Sequence, residues 1–152
     1  MLDEEIILLL FYASEEKGYK GIPNKDIGNL IFILGFQYQL FDSFYYEFNG
    51  TYDSQGLFNL SSNLLNVKIL QELEKKGRLI QKLDPTNIWM MNINNANISL
   101  LAKEKKNLIE QYNRFYPNIQ YNPFLIGAVD LSFRKSKEIS EWCENYSKII
   151  KK

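Results

Sequence analysis

Histidine is absent from all 152 residues, and cysteine occurs once, as Cys143. The first absence removes the commonest general base and the commonest metal ligand. A single thiol can build neither a thiolate metal site nor an intrachain disulfide. Nothing in the cysteine usage ties the fold to an oxidising compartment, so the expected location is intracellular, in the cytoplasm. Glycine-rich phosphate loops, nucleophile elbows and zinc-protease patterns are also missing. The remaining chemistry would have to come from carboxylates such as Glu47, Asp53, Asp84 and Asp130. Of these, Asp130 stands out because it interrupts the apolar run GAVDLSF. A hydrogen-bonded structural acid explains that position more economically than a catalytic one. The chain is therefore read as a non-enzyme that needs no cofactor and no metal.

Long hydrophobic runs are scarce too. The stretch IILLLFYA, residues 6–13, follows three acids and is far too short to span a bilayer, so it reads as a buried helix and no membrane partner is expected. Charge of one sign is not in excess, with 18 basic and 18 acidic residues, and arginine is confined to positions 78, 114 and 134. The chain as a whole is not a nucleic-acid coat. Its charge is nevertheless uneven: residues 1–60 carry a net −6 and residues 61–152 a net +6. A nucleic-acid face and an internal acidic–basic pairing both fit that division. Abundant Asn, Ile, Lys, Tyr and Phe match the coding bias of an AT-rich genome, as in a low-GC bacterium, a crenarchaeon or one of their viruses.

What is present is enough apolar material to pack: 45% hydrophobic and 14% aromatic residues. The length suits one domain, residues 1–152, with a core over about 3–93 and a helical extension over about 98–152. Acids in the first turn and Gly18 as a stop predict a helix over residues 3–16. Asn24 after Pro23 is read as the N-cap of a second helix reaching about residue 36, with Ile27, Leu30, Ile31 and Leu34 on its core face. Residues 44–48 read as a short aromatic arm, and NGTYDSQG as a turn-rich loop. Ser61 or Ser62 caps a third helix whose apolar stripe is Leu60, Leu64, Val67, Leu70 and Leu73, widened by Leu65 and Ile69, with Gly77 as its C′ residue. Residues 78–83 and 88–93 then form a hairpin around a turn centred on Pro85 and Thr86. A helix over about 99–115 places Leu100, Leu101, Leu108, Ile109 and Tyr112 along one side. Asn122 and Pro123 are read as N-cap and N1 of the next helix, whose start FLIGAV is expected to be buried. In the last segment Ile139, Trp142, Cys143, Tyr146, Ile149 and Ile150 share one face.

The order helix, helix, arm, helix, hairpin predicts an α+β, mostly helical, winged-helix-like domain with a β-hairpin wing and extra C-terminal helices. In such a helix-turn-helix variant the helix before the hairpin enters the major groove and the hairpin lies along the backbone or minor groove. Ser61, Ser62, Asn63, Asn66 and Lys68 are then the candidate nucleic-acid contacts on the helix. Arg78, Lys82, Thr86 and Asn87 are the candidates on the wing. A plain solvated helix face accounts for the same polar positions. Ile139, Trp142, Tyr146, Ile149 and Ile150 are the candidate interface of a homodimer through the C-terminal helix, and folding back onto helix one is the alternative for that stripe.

The segments GIPNKDIGNLIFIL, FYYEFNGTYDSQGLFNLSSNLLNVKILQELEKKGRLI and ISLLAKEKKNLIEQY together resemble the Panacea, or SocA-like, antitoxin domain over roughly residues 3–112. The family's Tyr-x-Tyr-Gly-Pro-type bend has Tyr52, Gly56 and Phe58 as counterparts and lacks its proline here. The resemblance implies a compact helical domain with a wing that works by binding a protein, often a toxin. Two functions thus stay open: a DNA-binding transcriptional regulator, and a protein-interaction module of antitoxin or viral accessory type that neutralises a partner.

Overall fold

The computed structural model describes residues 1–41, 51–52, 58–59 and 64–150, with the backbone alone at 51–52, 58–59, 64–67 and 147–150. It is an α+β, mostly helical fold. Helix α1 is Asp3–Glu16, strand β1 Ile22–Pro23, helix α2 Asn24–Tyr38, and strands β2 Thr51–Tyr52 and β3 Phe58–Asn59 pair with each other. Helix α3, Leu64–Lys75, leads into a hairpin of β4, Leu79–Lys82, and β5, Ile88–Met91. The chain finishes with α4, Ile98–Phe115, a π-turn at Tyr121–Leu125, α5, Ile126–Arg134, and α6, Ser136–Ile150. β1 joins the hairpin through β5, giving an antiparallel sheet in the order β1-β5-β4.

α1 is buried at every position from 6 to 14. A helix that is apolar all round needs neighbours all round. α3 and β5 supply them from the winged part, and α4, the π-turn and α5 from the C-terminal part. One apolar cluster therefore runs from Leu70, Leu79 and Trp89 through α1 to Leu108, Tyr112, Leu125 and Val129. Ser14, the last buried residue of α1, donates from its hydroxyl to the Gly21 carbonyl at 3.0 Å, which fixes the loop that turns into β1. Gly21 itself has φ +153°, and any Cβ there would collide with the Trp89 carbonyl and the Met90 side chain, so β1 can approach β5 only with glycine at this point.

Helix ends follow local rules. After α1 and α3, Gly18 (φ +82°) and Gly77 (φ +74°) take the left-handed position. The Tyr19 amide bonds to the Ser14 carbonyl and the Arg78 amide to the Leu73 carbonyl, the 6→1 bond of a Schellman end in each case. α2 runs two residues past the expected residue 36 and closes with Gln39 in the left-handed region.

Several expectations are corrected. Ile22–Pro23, expected as loop, is a strand; it lies at the sheet edge, where a missing proline N–H does no harm. Asn24 is the first residue of α2 and Pro23 its N-cap, because the Asn24 side chain accepts from Trp89 Nε1 at 3.1 Å and its N–H donates to the Asn87 carbonyl at 2.8 Å. Asn122 does not cap α5: it is extended (φ −114°, ψ 119°) as a residue before proline prefers, and α5 begins at Ile126. Of FLIGAV only Leu125 and Val129 are fully buried, and Leu100, expected on the inner stripe of α4, is 68% exposed. The C-terminal stripe folds back, but onto α2 and not α1: Cys143 is fully buried beside Phe32, with Ile139, Trp142 and Tyr146 packed around them. Trp142 meets Phe32 edge to face at 6.1 Å, and Tyr146 meets Phe36 at 5.1 Å. The face expected to join two chains is thus occupied in part within one; Ile149 and Ile150 have side chains outside the described portion.

Candidate functional site

The expected hairpin forms, but over Leu79–Lys82 and Ile88–Met91 rather than 78–83 and 88–93, and its pairing is centred on Pro85, one residue out of the register that a turn centred on Pro85 and Thr86 would give. Leu79 pairs with Met91, Ile80 with Met90, Gln81 with Trp89 and Lys82 with Ile88. Because side chains alternate along a strand, Leu79, Trp89 and Met91 turn inward and are buried, while Ile80, Lys82, Ile88 and Met90 share the outer face. Ile80 is 47% exposed, and Leu83, just beyond β4, is 68% exposed. The wing is stiffened at both ends. Gln81 Nε2 donates to Asn87 Oδ1 at 2.7 Å near its tip, and Asn92 Nδ2 donates to the Gly77 carbonyl at 2.9 Å at its base.

Each expected contact residue now has a place. Ser61, Ser62 and Asn63 lie outside the described residues, and Asn66 belongs to α3 with its side chain outside them. Lys68 is exposed on α3, with Gln71, Glu72, Glu74 and Lys75 also in solvent, so the described outer side of this helix carries both signs of charge. Lys82 and Thr86 are exposed on the wing. Two expected wing contacts are corrected. Arg78 is half-buried and pairs through Nη2 with Glu104, which also accepts from the Tyr12 hydroxyl at 2.7 Å. The guanidinium thereby ties the wing base to α1 and α4, and burial together with Glu104 raises the Tyr12 pKa. Asn87 spends its side-chain oxygen on Gln81 and its carbonyl on Asn24.

The sequence reading passed over Ile80, Leu83 and Met90. The signal was there: strict alternation through RLIQKL cannot place both Leu79 and Ile80 inside.

The two described carboxylate candidates, Asp130 and Asp84, hold structural and surface positions. Asp130 accepts from the Tyr19 hydroxyl at 2.8 Å and from Arg134 Nε at 2.9 Å, and these bonds, Tyr19 first, hold its carboxyl below the usual range. Tyr19 stacks on Phe133 at 3.8 Å, so the acid serves to pin the loop after α1 onto α5. Asp84 is exposed in the turn, and Glu47 and Asp53 lie outside the described residues. The Cys143 thiol is pushed up to about 12 by burial, far from a reactive thiolate. Among the described residues no cluster of metal-binding side chains occurs and no helix is long and apolar enough to cross a membrane.

A helix lying ahead of an antiparallel hairpin whose inner strand takes up a third strand from between the first two helices is the layout of a winged-helix-like scaffold. No family model, curated protein or solved structure matches the chain.

Proposed function

We propose that this protein is a non-enzymatic winged-helix module that binds a partner protein through the outer face of its wing, in the manner of an antitoxin or viral accessory protein. The observation that carries the reading is the wing's composition. Ile80 and Leu83 stand in solvent beside half-buried Ile88 and Met90, and the wing's one arginine is spent inside the molecule. A phosphate-tracking wing would present the reverse, with basic groups outside and apolar groups in. β4 is also an edge strand, so its outward backbone groups are available to extend the sheet with a partner's strand.

The test is co-expression of the chain with proteins encoded by neighbouring reading frames, followed by sedimentation of any complex. Leu83→Asp should abolish a complex without altering the monomer's melting temperature. Retention of the same complex by Leu83→Asp and by Ile80→Asp would remove the wing from the interface.

DNA binding is the second reading, favoured by Lys68, Lys82 and Thr86, which are all exposed on the helix and wing of a winged-helix layout. Under it, affinity for random duplexes falls steeply with salt, and Lys68→Ala and Lys82→Ala each reduce the slope by about 0.9. A flat salt response would eliminate this reading.

A further inference from the structure

On the side of the molecule formed by α2, the π-turn, α5 and the start of α6, packing leaves a cavity of about 420 Å³. That is toward the lower end of the range for small-molecule sites. Four separate elements supply its walls, and among the described residues no charged side chain lines it. One wall is an aromatic pair, Tyr38 and Phe124, edge to face at 4.7 Å. Tyr38 and Leu131, both lining residues, are each 40% exposed, so two large apolar side chains are held partly in water around a space the protein's own core does not use.

Gly127 supplies the second argument. It is the second residue of α5 and lines the cavity, and a Cβ built on it would meet nothing within 4 Å. Its φ is not in the left-handed region, so neither backbone conformation nor close packing within the chain calls for glycine there. A side chain at this position would stand in open space at the cavity wall.

The polar groups at the site are few. Ser132 donates its hydroxyl proton to the Val129 carbonyl at 2.7 Å, which leaves the oxygen able to accept one further bond. Gln37, also lining the space, is exposed and offers an amide.

We propose that this cavity is a binding site for a small, uncharged, largely apolar molecule of about two or three aromatic rings, or the equivalent aliphatic bulk, carrying one hydrogen-bond donor. It shares no residue with the wing, and it stands or falls independently of what the wing binds.

N-phenyl-1-naphthylamine, a neutral two-ring fluorophore plus phenyl with a single N–H, is the probe. Titrated into the full chain, it should show a saturable rise in emission at one equivalent. Its sulfonated analogue, anilinonaphthalene sulfonate, should bind at least about tenfold more weakly, since none of the described lining residues is a cation that could offset desolvation of the anion. Gly127→Phe, which fills the space, should weaken the neutral probe by about tenfold or more with the melting temperature held. Should that variant fold poorly, Leu131→Asp puts a charge at a half-exposed lining position and should produce a similar loss. Leu83→Asp, on the wing, should leave the probe's affinity unchanged. Three results would each overturn the proposal. One is the absence of saturable binding, as when other parts of the chain close the cavity in solution. The others are equal affinity for the two probes, and binding that survives both Gly127→Phe and Leu131→Asp.

Discussion

α1 and α6 are helices of 14 and 15 residues near opposite ends of the chain, and they are held in different ways. α1 is apolar on all sides and sits in one large cluster with neighbours from every layer. α6 is fastened to α2 by directional contacts: Ser136 Oγ donates to Asp26 Oδ1 at 2.6 Å, and Asn29 Nδ2 donates to Ser140 Oγ at 2.8 Å, both beside the small cluster around Phe32 and Cys143. Burial of apolar area is non-directional and spread over many contacts, whereas a polar seam depends on each bond and penalises any group left over. Asn29 Oδ1 is such a group, buried and with no partner among the described residues. On that difference α1 is expected to open only when the whole molecule unfolds, and α6 to open before it.

The strongest break in that comparison is at Phe11, 1% exposed in the middle of α1. Phe11→Ala should cost about 3–5 kcal/mol of global stability in urea melts, with all helices lost in one transition. Trp142→Ala, removing a half-buried ring from the α6 stripe, should cost less, about 2 kcal/mol, because part of that ring is in water already. Sedimentation checks the same variant a second way: a mass unchanged from wild type is expected, since the ring packs on α2 of its own chain.

A finer probe is Ser140→Ala. It strands the Asn29 amide and should cost about 1 kcal/mol. Native-state hydrogen exchange should then quicken in α6 by roughly fivefold while α1 amides keep their protection. Equal acceleration in both helices would mean that α6 does not open independently.

The smallest effect is one of pH. Burial raises the Asp26 pKa above its ordinary value, against the opposing Ser136 hydrogen bond and the Lys25 charge. The native carboxyl therefore binds its proton at higher pH than the unfolded chain does. Stability should rise as pH falls from neutral through the raised pKa, and this contribution should stop growing below the unfolded value of about 3.9. Other acids titrate in the same range, so the informative quantity is the difference between wild type and Asp26→Asn. That difference should shift in favour of wild type between pH 7 and pH 4.

Much of the fold was legible locally. α1 matched its expected bounds, the ends at Gly18 and Gly77 followed from glycine's access to positive φ, and the existence of the hairpin followed from two β-compatible runs around a proline turn, while its exact register, centred on Pro85, did not. What could not be read depended on partners distant in sequence. β1 is two residues long and exists only because β5 pairs with it. Leu100 looks equivalent to Leu101 in the sequence, and the angle at which α4 meets α1 decides that one is exposed and the other packed. The candidate site shows the same division. Lys68, Lys82 and Thr86 are exposed as expected, while Arg78 is withdrawn by Glu104, 26 residues away, a pairing no local pattern announces.

The sequence by itself determined where most helices and the hairpin lie and much of which face is apolar, because 3.6- and two-residue periodicities and glycine's conformational freedom act over a single turn or strand; the start of α5 and the outward turn of Leu100 were not among these. Its composition also leaves no histidine for catalysis or metal binding and no second cysteine for an intrachain disulfide or a thiolate metal site. Only the tertiary structure decided which apolar face meets which: α6 on α2 and not on α1, Ile80 outside and Leu79 inside, a cavity beside Gly127 where the helices do not close. Those outcomes rest on packing between elements, and apolar attraction is nearly indifferent to partner until shape and the few paired polar groups, here the buried Asp26 and Asn29 and the half-buried Glu104, select one arrangement.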